Sequence, residues 1–196
     1  LTKGSQLTAQ ELDDNFTALD SSIDSAAGSL LPNNNTWTGT NDFTNGLTSP
    51  GAGTNSFRAG LNAGQTTQGD YSVAIGNLAG ETSQGTLSVA VGVSAGRTTQ
   101  GVQSVAVGVS AGSNTQGTQS VAVGYLAAQT TQGTNAVAVG YAAGNDTQGV
   151  QSVAVGYGAG NDTQGDSAVA VGYLAGQTSQ GDRSVAIGRL SGKTSQ

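Results

Sequence analysis

The sequence contains no cysteine, no histidine and no methionine. Without cysteine or histidine the chain cannot supply a thiolate nucleophile, an imidazole base or a zinc site of the usual nitrogen and sulfur type. Charged residues make up only 9% of the 196 residues, with 6 basic against 12 acidic. So few cations in an acidic chain predict no nucleic-acid partner. No apolar run approaches the roughly 20 residues of a membrane-spanning helix, so no membrane insertion is expected.

Glycine is abundant, at 32 of 196 residues, about twice its usual share. The chain opens with Leu1 and shows no signal-peptide pattern, so we expect it to be a portion of a longer protein. Large apolar residues are scarce, which is typical of disorder, yet the order of the residues is far from random.

An internal repeat fills residues 53–196, which divide into nine blocks of 16 without an insertion. Residues 149–164, GVQSVAVGYGAGNDTQ, are one example. Positions 1 and 8 of the block are glycine and position 16 is glutamine in all nine blocks. Positions 5 and 7 are valine or isoleucine, and position 6 is alanine, in every block but the first. Such self-similarity indicates a repeat architecture in which each block is one structural unit.

The repeat predicts a mainly β fold, a parallel β-roll or β-solenoid with one 16-residue coil per block. The run Ser-Val-Ala-Val-Gly is short, β-branched and bounded by glycine, which favours a strand. The glycine of position 8 ends this strand where the chain must bend, so we expect it to need a positive φ or a close backbone approach. We expect a second extended stretch over positions 9 to 11, and turns around the Thr-Gln-Gly segment. Identical positions then stack about 4.8 Å apart along a rod, where the glutamines can form an amide ladder.

Alternation along the strand places position 6 opposite positions 5 and 7. We expect the valines to face into the coil and the alanines to form an outside stripe with positions 4 and 8. One coil buries few large side chains, so further apolar area must come from other chains. We therefore predict an oligomer interface, with a flat exposed sheet as the alternative, at the alanine stripe: Ala74, Ala90, Ala106, Ala122, Ala138, Ala154, Ala170 and Ala186.

The first 31 residues carry a helical period instead. Apolar residues spaced 4-3-4-3-4 form the seam of a coiled coil, with a packed helix on another domain as the alternative. The seam comprises Leu12, Phe16, Leu19, Ile23, Ala26 and Leu30. Residues 1–31 are thus predicted to be an attachment segment with a short α-helical coiled coil, residues 32–52 a short β linker, and residues 53–196 the β-roll.

Few residues are candidates for ligand contact, metal binding or catalysis. Four successive coils carry tyrosine at position 9, a tyrosine stripe that comprises Tyr125, Tyr141, Tyr157 and Tyr173. One interpretation is a strip for surface contact, and the alternative is an aromatic ladder that only stiffens the rod. Asp146 and Asp162 are too few for a calcium site and fit solvated turns better. Asp166 and Asp182 lie one coil apart, a spacing that glycosidase carboxylates also use, but nothing else supports that role. We expect no catalytic residue, no metal and no cofactor.

The core Ser-Val-Ala-Val/Ile-Gly, followed by Ala-Gly, resembles the head repeats of trimeric autotransporter adhesins, the YadA-like head. Residues 72–76, 184–188 and the blocks between them carry it. The family has blocks near 14 residues, whereas these have 16 with an added Thr-Gln-Gly turn. The resemblance implies a left-handed parallel β-roll and a homotrimer.

Residues 3–8 (KGSQLT) and 11–16 (ELDDNF) resemble the leading segment of phage tail-fibre proteins, and residues 36–43 (TWTGTNDF) are similar to short repeats in phage fibres. This resemblance implies docking of the N-terminus on a phage tail or baseplate protein. The predicted function is a non-enzymatic tail fibre of the virion, whose trimeric shaft projects toward a glycan or protein of the host surface. The alternatives are a bacterial trimeric surface adhesin and a polysaccharide-cleaving spike.

Overall fold

The computed structural model describes residues 53–194. Within this range the chain forms seventeen short strands and no helix, so no helix there is long and apolar enough to cross a bilayer. Nine strands have three residues: β1 (Phe57–Ala59), β3 (Val73–Ile75), β5 (Val89–Val91), β7 (Val105–Val107), β9 (Val121–Val123), β11 (Val137–Val139), β13 (Val153–Val155), β15 (Val169–Val171) and β17 (Val185–Ile187). Eight have two: β2 (Thr67–Gln68), β4 (Ser83–Gln84), β6 (Thr99–Gln100), β8 (Thr115–Gln116), β10 (Thr131–Gln132), β12 (Thr147–Gln148), β14 (Thr163–Gln164) and β16 (Ser179–Gln180).

The strands form two parallel sheets. The odd-numbered strands make a nine-stranded sheet in chain order, and the even-numbered strands an eight-stranded sheet. Each residue pairs with the residue 16 positions away, as Val105 pairs with Val121 and Thr131 with Thr147. This register confirms the predicted parallel β-solenoid with a 16-residue coil.

The second strand does not lie where the sequence predicted it. It covers positions 15 and 16, the Thr-Gln pair, whereas positions 9 to 12 form a turn. The turn is left-handed at positions 10 and 12, as at Leu78 (φ 59°) and Gly80 (φ 53°). Its backbone is held by the preceding coil, since Leu78 N donates to Leu61 O at 2.9 Å. The expected extended stretch over positions 9 to 11 was therefore wrong, because these hydrogen bonds stabilise a tight bend.

The alanine stripe faces the inside of the coil, which corrects the prediction that it lies outside. All eight of its residues are 0% exposed in the single chain: Ala74, Ala90, Ala106, Ala122, Ala138, Ala154, Ala170 and Ala186. The interior is too narrow for valine. A Cβ placed on Gly160, across the coil, would lie only 3.4 Å from the Cβ of Ala154. In the coils between the first and the last, the serines of position 4, such as Ser120, are also fully buried.

The glycines of position 8 lie where the three-residue strand ends. Gly108 has a φ of 129°, and a Cβ placed on it would lie 2.4 Å from the carbonyl oxygen of Gly124 in the next coil. Both the left-handed backbone and the close approach of the coils therefore require glycine, as the sequence predicted.

The glutamines of position 16 fill the remaining interior. Gln148 is 1% exposed, and its Nε2 donates to the carbonyl oxygen of Val137 at 2.7 Å. The same bond to the first residue of the three-residue strand recurs from Gln68 to Gln180.

The predicted coiled-coil seam (Leu12, Phe16, Leu19, Ile23, Ala26 and Leu30) and the predicted β linker lie outside the described residues.

Candidate functional site: two outer stripes of the solenoid

From the second coil onward, the outward face of the nine-stranded sheet carries two β-branched apolar side chains per coil. Because position 6 faces inward, positions 5 and 7 face outward. We call this row the valine stripe: Val73, Ile75, Val89, Val91, Val105, Val107, Val121, Val123, Val137, Val139, Val153, Val155, Val169, Val171, Val185 and Ile187.

Neighbouring coils cover the valine stripe only in part. In mid-array its residues are half-buried, whereas at the C-terminal coil Val185 and Ile187 are 59% and 65% exposed. A single chain therefore leaves a continuous apolar row along one side of the rod. An exposed apolar row of this kind is typical of interaction surfaces.

The tyrosine stripe is a second outer feature, at position 9. Successive ring centroids of Tyr125, Tyr141, Tyr157 and Tyr173 are 5.2, 4.7 and 5.3 Å apart, with interplanar angles of 16°, 4° and 19°. Each side chain remains 45–49% exposed. The structure thus brings together all four tyrosines that the sequence singled out.

The tyrosine stripe ends on a cation. The guanidinium carbon of Arg189, at position 9 of the last coil, lies 5.6 Å from the centroid of the Tyr173 ring. At the other end, position 9 is occupied by Val109 and Val93, which are 42% and 46% exposed. The stripe is therefore an aromatic segment between aliphatic residues and an arginine.

Two of the four aspartates that the sequence raised as candidates accept hydrogen bonds from backbone N–H groups. The Oδ1 of Asp166 accepts the backbone N–H of Val150 at 2.7 Å, and the Oδ1 of Asp182 accepts that of Asp166 at 2.9 Å. Each carboxylate thus caps the turn of the preceding coil. Asp146 and Asp162 lie in the bend before the two-residue strand. Across residues 53–194 no three acidic side chains gather as metal ligands.

The first coil carries Arg58 at the position that alanine holds in the other coils. Its Nη1 donates to the carbonyl oxygen of Gly64 at 3.2 Å. A shallow, open cavity beside it is lined by Arg58, Gly60, Asn62, Ala63 and Gln65.

Comparison with known families agrees with this geometry. The family model of the YadA head domain repeat, in two copies, matches residues 66–79, 100–127 and 164–191. These segments are similar to YadA head repeats. The unbroken 16-residue register extends the same pattern through the intervening coils, which confirms the resemblance noted in the sequence. No curated protein and no solved structure matches the chain.

The sequence did not predict the outward valine stripe of these repeats, because the alanines were expected on the outer face. A signal was present. Position 6 is alanine in eight blocks, with Arg58 only in the first coil, whereas position 9 varies among Leu, Asn, Val, Tyr and Arg. Uniform small size is what a crowded interior demands, because any added methylene is felt there.

Proposed function

We propose that the array is the head of a trimeric adhesin displayed on a bacterial surface, and that its role is binding without catalysis. The observation that carries the proposal is the valine stripe on the outside of YadA head repeats. Three rods that place their valine stripes together would bury the apolar row that a single rod leaves half-exposed, at about 25 cal/mol for each Å² removed from water.

The trimer raises the overall binding affinity of the adhesin through multivalency. Three copies of one surface on a stiff rod meet the target at once, so each contact after the first forms at a high effective concentration. The predicted coiled coil of residues 1–31 would set the register of the three chains, but about three heptads are too short to hold them together without the rods. The expected targets are a glycan or a protein of another cell surface.

The test of the trimer is sedimentation equilibrium of the full chain and of Val123→Glu. The wild type is expected to sediment as a trimer, and the variant as a folded monomer, because three carboxylates would be buried without partners in the interface. Thr131→Glu is the matched control, since Thr131 is an exposed strand residue of the other sheet. A wild-type chain that is a stable folded monomer would overturn the proposal.

A second candidate is a phage tail fibre, favoured by the resemblance of residues 3–8, 11–16 and 36–43 to fibre proteins. In that case the N-terminus docks on a tail or baseplate protein and the same trimeric rod projects toward the host. An antibody against residues 53–194 separates the two candidates. Labelling of the producing cell's surface supports the bacterial adhesin, whereas labelling of the distal tail of virions supports the fibre.

A further inference from the structure

The tyrosine stripe is a rigid surface that the fold leaves open. Its rings stack on one another at 4.7–5.3 Å, so each ring is held in place by its neighbours. Tyrosine has only two rotatable side-chain bonds, and these are already fixed by the stacking. A ligand that binds here therefore costs little side-chain entropy.

Stacking decides which part of each ring a ligand can reach. The faces of Tyr141 and Tyr157 are covered by rings on both sides, and the outer face of Tyr173 is covered by Arg189. The exposed 45–49% of these side chains is therefore edge and hydroxyl. Among residues 53–194 no hydrogen bond engages the four phenol oxygens, each of which can both donate and accept. The stripe offers a straight row of hydroxyls and no flat platform.

A straight row of hydroxyls at this spacing fits a ligand with the same repeat. An extended β-1,4-linked pyranose chain advances by a similar distance per sugar and presents hydroxyls along its edges. A helical α-1,4-linked chain cannot keep that alignment over four coils. A polyanionic glycan is disfavoured because the protein itself has a net charge of −6.

We infer that the tyrosine stripe binds a neutral, extended β-1,4-linked polysaccharide laid along the rod, with about one sugar per coil. The phenol hydroxyls of Tyr125, Tyr141, Tyr157 and Tyr173 exchange hydrogen bonds with the hydroxyls of successive sugars. The guanidinium of Arg189 donates hydrogen bonds at the C-terminal end of the strip. The inference rests on the proposed function, since it names the surface ligand of the adhesin.

The test is calorimetric titration of the full chain with cellohexaose and with chitohexaose, which share the β-1,4 linkage but come from different sources. Binding of either supports the inference, and the tighter ligand identifies the source. Maltohexaose, an α-1,4-linked glucose hexamer, is the matched control ligand and is expected to bind at least about tenfold more weakly. Affinity for the β-linked ligands should rise up to four sugars and then level off.

The double variant Tyr141→Phe, Tyr157→Phe removes two hydroxyls and keeps the stacked rings. It is expected to weaken binding about tenfold, since a hydrogen bond contributes a factor of a few in affinity. Tyr71→Phe is the matched control, because Tyr71 is 56% exposed but lies at position 3, outside the stripe. That variant should bind like the wild type.

Three results would overturn the inference. They are no binding of either β-linked hexamer, equal binding by the double variant, or a changed sedimentation of the double variant, which would make the stripe a contact between subunits. Loss of the glycan inference would leave the adhesin proposal standing as long as the Val123→Glu experiment gives its expected result.

Discussion

The side-chain amide of Gln132 donates to the Oε1 of Gln148, one coil further along the rod, at 3.1 Å. Gln164 and Gln180 repeat this contact at 3.2 Å. The buried glutamines thus link neighbouring coils through side chains as well as backbone, which confirms the predicted amide ladder at these two steps. Six other glutamine Oε1 atoms in residues 53–194 are buried without a hydrogen bond.

Replacing Gln148 by alanine removes two hydrogen bonds from the interior. Nε2 of Gln148 bonds Val137 O, and its Oε1 accepts from Gln132. We expect the free energy of unfolding to fall by about 2–4 kcal/mol, since two buried hydrogen bonds are lost and a cavity opens. Denaturant titration followed by circular dichroism measures this. Gln177→Ala, at a half-buried position without a side-chain hydrogen bond, should change stability by less than about 1 kcal/mol.

Gly108→Ala should disrupt the stacking of coils. The new Cβ would meet Gly124 O at 2.4 Å, and the φ of 129° disfavours any side chain. We expect a loss of about 3 kcal/mol or more in the free energy of unfolding. Gly158→Ala is the matched control. Position 10 already holds Ala142 one coil earlier, and the new Cβ would meet only the flexible Leu174 side chain. Equal melting temperatures for the two variants would contradict this account.

Ala122→Glu should prevent local folding, whereas Val123→Glu should prevent assembly only. Ala122 is 0% exposed in the single chain, so a carboxylate there is buried without a partner. Val123, its neighbour, faces outward. We expect far-ultraviolet circular dichroism to lose β signal for Ala122→Glu and to keep it for Val123→Glu. An Ala122→Glu chain with the wild-type spectrum would place the alanine stripe outside after all.

Arg97→Gln should have almost no effect. The Arg97 Nε lies 2.7 Å from the Glu81 Oε2, but the two side chains are 48% and 20% exposed. Water and salt screen such a surface pair, so its removal should cost no more than about 1 kcal/mol. Thermal melts at low and high ionic strength measure it. A larger loss that persists in high salt would mean that the Arg97 stem contributes by packing.

The sequence was sufficient for the solenoid, its 16-residue coil and the glycines of position 8. These follow from the strict 16-residue period, which is the same whichever side of the strand faces inward. The inside and outside of the strand were not decided, because Val105, Ala106 and Val107 alternate in the same way whichever side faces inward. The width of the coil interior decides which side faces inward, and this width depends on the residues on the opposite side of the coil.

The turn conformations could not be predicted from the local sequence either. Tyr71 and Leu78 adopt left-handed backbone, with φ of 55° and 59°, although neither residue favours it. Backbone hydrogen bonds from Tyr71 N to Thr54 O and from Leu78 N to Leu61 O hold them there. These bonds join residues 17 positions apart, so they form only when the coils have stacked. The candidate tyrosine stripe, by contrast, followed directly from the period.

The uniform register has a consequence for how such a protein changes over generations. Every coil presents the same backbone edge to the next, so gain or loss of one complete 16-residue unit by recombination within the gene alters the reach of the rod by about 4.8 Å and leaves every lateral surface aligned. A partial unit would turn all later valines away from their row. The length of the rod can therefore change by whole coils, while the outward faces of the coils stay the same.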